Sequence, residues 1–157
     1  MEQQQSFSDM EYQDRRITRR EAFLSEMNVL LPWKNWAAET ESKYVRKRNI
    51  HRAIPAERML RMLMLSRWFR LSAEATEEAV YDSYCMKSFL GISFSAGEQV
   101  PDATTLNKFR RFLIKNGLLE KITAEADEIL YTKGLELHTG SIVSASLQRK
   151  KRRKAKV

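Results

Sequence analysis

The sequence predicts a mainly α fold: a helical bundle with a helix-turn-helix-like arrangement, followed by a short β-hairpin stub and a disordered basic tail. Three observations point there. From Phe23 to Leu130 apolar residues recur every three or four positions, the period of one helix face. Helix punctuation separates these stretches: Thr18 opens a capping box, Leu71-Ser72 begins a helix, Asp102 or Thr104 can cap another, Pro32 and Pro55 stand at boundaries, and Gly91, Gly117 and Gly134 follow the stops. Only beyond Leu135 does the period shorten to that of a strand.

Residues 1–10 carry no periodicity and are expected to be disordered; residues 11–134 make the helical domain, 135–147 the hairpin and 148–157 the tail. Thr18-Arg19-Arg20-Glu21 has capping-box spacing, and Phe23, Met27 and Leu30 then form a helical stripe ending near Pro32. Trp33 and Trp36 continue as a second short helix towards Tyr44, their indoles in the core. From Lys43 to Arg52 five basic residues occur without an acid or a helical pattern, which reads as a basic loop. Pro55 suits a first helical turn, and from Met59 to Phe69 apolar residues occupy nearly every face, as a central buried helix requires.

A further helix runs from Ser72 to about Asp82, with small Ala75, Ala79 and Val80 on one face and Glu74, Glu77 and Glu78 on others. Ser83 to Leu90 supplies one or two helical turns closed by Gly91, and Ile92 to Val100 an irregular connection. After Gly117, Leu118, Leu119, Ile122, Ala126, Ile129 and Leu130 give an amphipathic helix stopped by Gly134. Its outer acids Glu120, Asp127 and Glu128 would repel phosphate, so its role is structural. Leu135 and Leu137, then Ile142-Val143 beyond His138-Thr139-Gly140-Ser141, read as two short strands joined by a tight turn.

The stretch Pro101 to Gly117 organises the rest. Asp102 or Thr104 can cap its amides, and Leu106, Phe109 and Leu113 form an apolar stripe. At roughly 100° per residue, Lys108, Arg111 and Lys115 fall together on the opposite side. An ordinary amphipathic helix with a solvated cationic face has the same pattern; the neighbouring order of helix, turn, helix, loop, helix is what fits a scaffold helix followed by a recognition helix. The candidate DNA contacts are therefore Thr104, Lys108, Arg111 and Lys115 on this helix, Arg46, Lys47, Arg48 and Arg52 in the basic loop, and Lys150, Lys151, Arg152 and Arg153 in the tail.

Charge is unevenly placed. Seven of the Lys and Arg residues fall in the last ten positions with no acid among them, so of the formal +8 only 8 − 7 = +1 remains for the other 147 residues. The body is nearly neutral with local basic clusters, and position matters more than total. One cysteine, Cys85, excludes an intramolecular disulfide. The longest run free of Asp, Glu, Lys and Arg, Leu137 to Gln148, is twelve residues, short of the roughly twenty that span a bilayer. The opening residues Met1 to Gln5 are polar, with no apolar segment behind them to make a signal peptide. A location inside the cell, in a reducing cytosol, is expected. His51 and His138 lie apart with no metal-ligand spacing, and there is no P-loop, dinucleotide glycine motif or nucleophile elbow, so no metal and no cofactor are expected.

Several runs in one order carry a resemblance. These are Thr18-Arg19-Arg20-Glu21-Ala22-Phe23-Leu24 with Leu31-Pro32-Trp33, Met59-Leu60-Arg61 with Trp68-Phe69-Arg70-Leu71-Ser72, Glu77-Glu78-Ala79-Val80-Tyr81-Asp82, and Pro101-Asp102-Ala103-Thr104-Thr105-Leu106 with Phe109-Arg110-Arg111-Phe112-Leu113. From about Phe7 to Leu147 the chain resembles the N-terminal region of bacterial insertion-sequence transposases of the insertion sequence five type. The resemblance implies an all-helical region that binds terminal inverted repeats ahead of an RNase-H-like domain with three metal-binding carboxylates, the DDE triad. It also makes residues 135–147 the stub of that domain. The family's first catalytic aspartate follows a run matched here by Gly140-Ser141-Ile142-Val143, and the next residue is Ser144. The other two carboxylates are expected beyond Val157, so the triad is incomplete and no enzyme activity is expected. The change at Leu147 to a Lys/Arg run suggests a truncated or frameshifted copy. The expected partner is double-stranded DNA, with a second copy of the chain or a full-length transposase as a further one. The alternatives are a helical module that pairs with and inhibits transposase, or a remnant without function.

Overall fold

The computed structural model describes residues 15–43, 54–93, 100–138 and 141–144, and side chains only as far as Leu135. Among these stand seven helices: α1 Arg19–Leu30, α2 Trp33–Lys43, α3 Ala56–Phe69, α4 Ala73–Asp82, α5 Tyr84–Phe89, α6 Ala103–Lys115 and α7 Leu118–Thr132. Each start follows from local chemistry. Thr18, Ser72, Ser83 and Asp102 accept the backbone N–H three residues on through their side chains, which satisfies amides that a helix leaves without partners. Pro55 precedes α3 as its cap residue rather than standing inside its first turn, and no side chain caps that end. Left-handed backbone appears at Gly91, Gly117 and Gly134, where it ends α5, α6 and α7, and at Arg70 after α3, where an arginine tolerates it at a cost.

The core forms around α3, which packs against α2, α4 and α6. Met59, Leu60, Met62, Leu63, Met64, Leu65 and Trp68 are buried on several faces, so α3 is enclosed rather than laid on a surface. Its indole joins an aromatic cluster: Phe23 meets Trp68 edge to face at 5.2 Å between centroids, and Trp33 meets Trp36 and Phe89 at 5.5 Å each. Trp33 Nε1–H donates to the Met27 carbonyl at 3.0 Å, which satisfies the indole and fixes the turn between α1 and α2. The buried tryptophans predicted for α2 are thus in place, together with Leu24 and Thr40, which helical spacing had not singled out.

Arginines join elements as well as caps do. Arg61 of α3 donates to Glu57 at 3.0 Å and to the Phe89 carbonyl at 3.0 Å, while its guanidinium lies 4.7 Å from the Trp33 ring centre. Arg58 donates to the carbonyls of Leu90 and Gly91 at 3.2 Å each. Both place positive charge at the C-terminal end of α5, where helix carbonyls lack partners.

Three details differ from expectation. The buried residues of α4 are Thr76 and Val80; Ala75 is only half-buried, because the contact face lies one position further on. Glu77, expected on a face apart from the small residues, turns towards the start of α6. Lys43, taken as the start of the basic loop, is the last residue of α2. The rest of that loop, the N-terminal segment 1–10 and the tail 148–157 lie outside the described residues. After α7, the backbones of Leu135–His138 (β1) and Ser141–Ser144 (β2) pair antiparallel, Leu135 opposite Ser144 and His138 opposite Ser141, and β2 lies against α1.

Candidate nucleic-acid interface

Helix α6 is held at both ends before any ligand enters. At its start Asp102 Oδ1 accepts the Thr105 N–H at 2.7 Å, and that bond keeps the Asp102 carboxyl below the usual carboxylate range. Asp102, not Thr104, is the cap, which leaves the Thr104 side chain exposed. From α4, Glu77 Oε2 accepts the Ala103 N–H at 2.8 Å, so two acidic groups meet the positive end of the helix. At the other end Asn116 Nδ2 donates to the Phe112 carbonyl at 2.8 Å, and Gly117, at φ +67°, turns the chain directly into α7.

Between these ends the two faces separate cleanly. Leu106, Phe109 and Leu113 are buried against α3, α4 and α7. Thr104, Lys108, Arg111 and Lys115 are exposed, and by their spacing they fall within about 60° of one another around the axis. No ion pair engages the four cations of α6 among the described residues; Lys108 acts only at longer range, helping to lower Asp102. Arg111 Nε reaches the Asn107 carbonyl one turn back at 3.4 Å, a long bond at the surface.

Two further residues belong to this surface and were not among the sequence candidates. Arg110 is exposed on one flank. Ile114 is 57% exposed beside Arg110, Arg111 and Lys115. Arg110 lies about 100° around the axis from Arg111, so the spacing that gathers Lys108, Arg111 and Lys115 does not include it. Arg46, Lys47, Arg48, Arg52, Lys150, Lys151, Arg152 and Arg153 lie outside the described residues, so the structure joins none of them to this face. Ser144 is described in its backbone only, opposite Leu135.

The motif expected here uses a tight turn of three or four residues between its helices. In this chain α6 packs on α4, and α5 with residues 90–102 intervenes. Ile92 and Val100 are both buried. Among the described residues no three His, Cys, Asp or Glu side chains are grouped so as to hold a metal ion, and no helix is long and apolar enough to cross a membrane.

These features define a mainly helical domain with a braced cationic helix on its surface. Residues 11–112 match the family model described as Transposase domain (DUF772), and the chain belongs to that family. The match ends within α6, although Leu113, Leu118 and Ile122 continue the same core into α7. No solved structure matches the chain.

Proposed function

We propose that this chain is a double-stranded DNA-binding protein of transposition, directed to the terminal inverted repeats of an insertion sequence, with α6 as its recognition helix. The observation that carries this is the exposed stripe Thr104, Lys108, Arg111 and Lys115 on a helix whose opposite face is core and whose start is fixed by Asp102 and Glu77. A helix about 20 Å long, at 1.5 Å per residue, fits the major groove, and cations on its outer face meet phosphates along the groove walls. The relation of α4 to α6 supplies the scaffold and recognition pair, in a looser form than the tight-turn motif. The further candidates Arg46, Lys47, Arg48, Arg52, Lys150, Lys151, Arg152 and Arg153 add phosphate contacts in this reading.

The same chain performs no strand transfer. Where the resemblance expects a metal-bridging aspartate it has Ser144, and a neutral hydroxyl does not hold two divalent cations as a carboxylate does. In this reading the strands β1 and β2 begin the first sheet of a catalytic-type domain.

The deciding experiment is a mobility shift of the full chain on terminal-repeat and on scrambled duplexes over a salt series. Preference for the terminal repeat supports the proposal. Binding to neither duplex removes it and favours a module that acts on transposase by protein contact.

A further inference from the structure

An isolated exposed apolar side chain on a soluble domain is ordinary. Ile114 is different because of where it stands. It is 57% exposed, one helical turn from both Arg110 and Arg111 and next in sequence to Lys115. On the described surface of α6 it is a large apolar group set among cations. Such a group gains nothing from water or from phosphate, so its place needs a partner that is anionic around the edge and apolar in the middle. The major groove of duplex DNA has that character: phosphates line the walls, and each thymine projects a methyl group from the floor.

The spacing agrees. A helix lying along the groove turns residues i, i+3, i+4 and i+7 towards the bases, and in α6 these are Asn107, Arg110, Arg111 and Ile114. Asn107 and the arginines carry the paired donors and acceptors that read adenine and guanine edges. Thr104, Lys108 and Lys115 flank that stripe on the side where the sugar–phosphate wall would run.

We infer that Ile114 is a specificity-determining residue that packs on the 5-methyl group of one thymine in the bound site, so that the recognised sequence contains a thymine opposite the C-terminal turn of α6. This rests on the DNA-binding reading above and adds the chemical identity of one base contact. Ile114 supplies recognition without charge, and its loss leaves the salt dependence of binding unchanged.

The test isolates one methyl group. The full chain selects duplexes from a random 20-base-pair pool, and the selected duplex is resynthesised with each thymine in turn replaced by deoxyuridine. Wild type, Ile114→Ala and Ile114→Val are titrated against the set. One replacement should weaken wild type about fourfold, the worth of one buried methyl group. That same replacement should cost Ile114→Val a similar factor and Ile114→Ala nothing. If wild type selects a sequence but no deoxyuridine duplex separates it from Ile114→Ala, the thymine contact is wrong while DNA recognition stands. If wild type selects no sequence, the DNA-binding reading itself falls, and this inference with it. Ile114 contributes little to the core, so thermal melts of the three proteins should coincide, confirming that binding and not folding has been read.

Discussion

Glu77 Oε2 accepts the backbone N–H of Ala103 at 2.8 Å, a bond from the middle of α4 to the first residue of α6, twenty-six positions along the chain. It ties the first turn of α6 to α4, while Asp102 satisfies a second amide of the same turn. The carboxylate acts through the helix it holds and touches no ligand itself.

Glu77→Ala should therefore destabilise the fold by about 1.5 to 3 kcal/mol, the range for a hydrogen bond to a charged group. Glu77→Gln, which keeps an acceptor oxygen, should lose less. Urea melts of the two variants measure the difference, and equal losses would show that charge near the helix end matters more than the bond.

Asp102 gives an acid limb to stability. Its carboxyl is held below the usual range chiefly by the Thr105 amide, so its contribution is present at neutral pH and is lost as pH falls through that lowered value. Asp102→Asn keeps a capping oxygen and removes the titration. Melting temperatures followed from pH 6 to pH 2 should fall less steeply for Asp102→Asn than for wild type; parallel curves would assign the acid limb to other carboxylates.

At the centre, Leu63 is 3% exposed within α3, among elements that cannot all close on a void. Leu63→Ala should cost about 2 to 5 kcal/mol, combining lost transfer energy with the cavity left behind. A loss under roughly 1 kcal/mol in urea would mean that the aromatic cluster of Phe23, Trp33, Trp68 and Phe89 holds the domain with little help from α3's aliphatic residues.

Affinity and specificity should separate by region. If all seven basic residues of Gln148–Val157 touch phosphates, their deletion flattens the slope of log K against log salt by about 6. Arg111→Ala should instead cost about 1 to 3 kcal/mol on the preferred duplex and little on scrambled DNA. Lys108→Ala and Lys115→Ala should weaken binding to both duplexes alike. An unchanged preference in Arg111→Ala would move recognition away from α6, with the segment Lys43 to Arg52 as the next place to look.

With Mg²⁺ or Mn²⁺ the purified chain should neither nick nor join a terminal-repeat duplex, if Ser144 stands at the position that the proposed reading gives to the first metal-binding carboxylate. Strand cleavage that requires metal and persists through purification would refute this.

Helical spacing was enough to locate every helix described here, because the features that start and stop a helix are local. Thr18, Ser72 and Asp102 cap through bonds spanning three residues, and Gly117 needs only its missing Cβ to turn the chain. Amphipathic period likewise placed Leu106, Phe109 and Leu113 inside and Lys108, Arg111 and Lys115 outside. What no local rule contains is which helix meets which. The spacing that sets Glu77 apart from the small-residue face gives no partner for it, because the Ala103 amide becomes its neighbour only when α4 and α6 pack. In the same way Trp36 Nε1–H finds Glu125 at 2.7 Å, eighty-nine residues away, and the exposure of Ile114 depends on α7 lying against the other side of α6. Sequence fixed the elements and their polarity, because both are decided within a few residues; tertiary packing decided how α6 is braced and which of its side chains remain open to a partner.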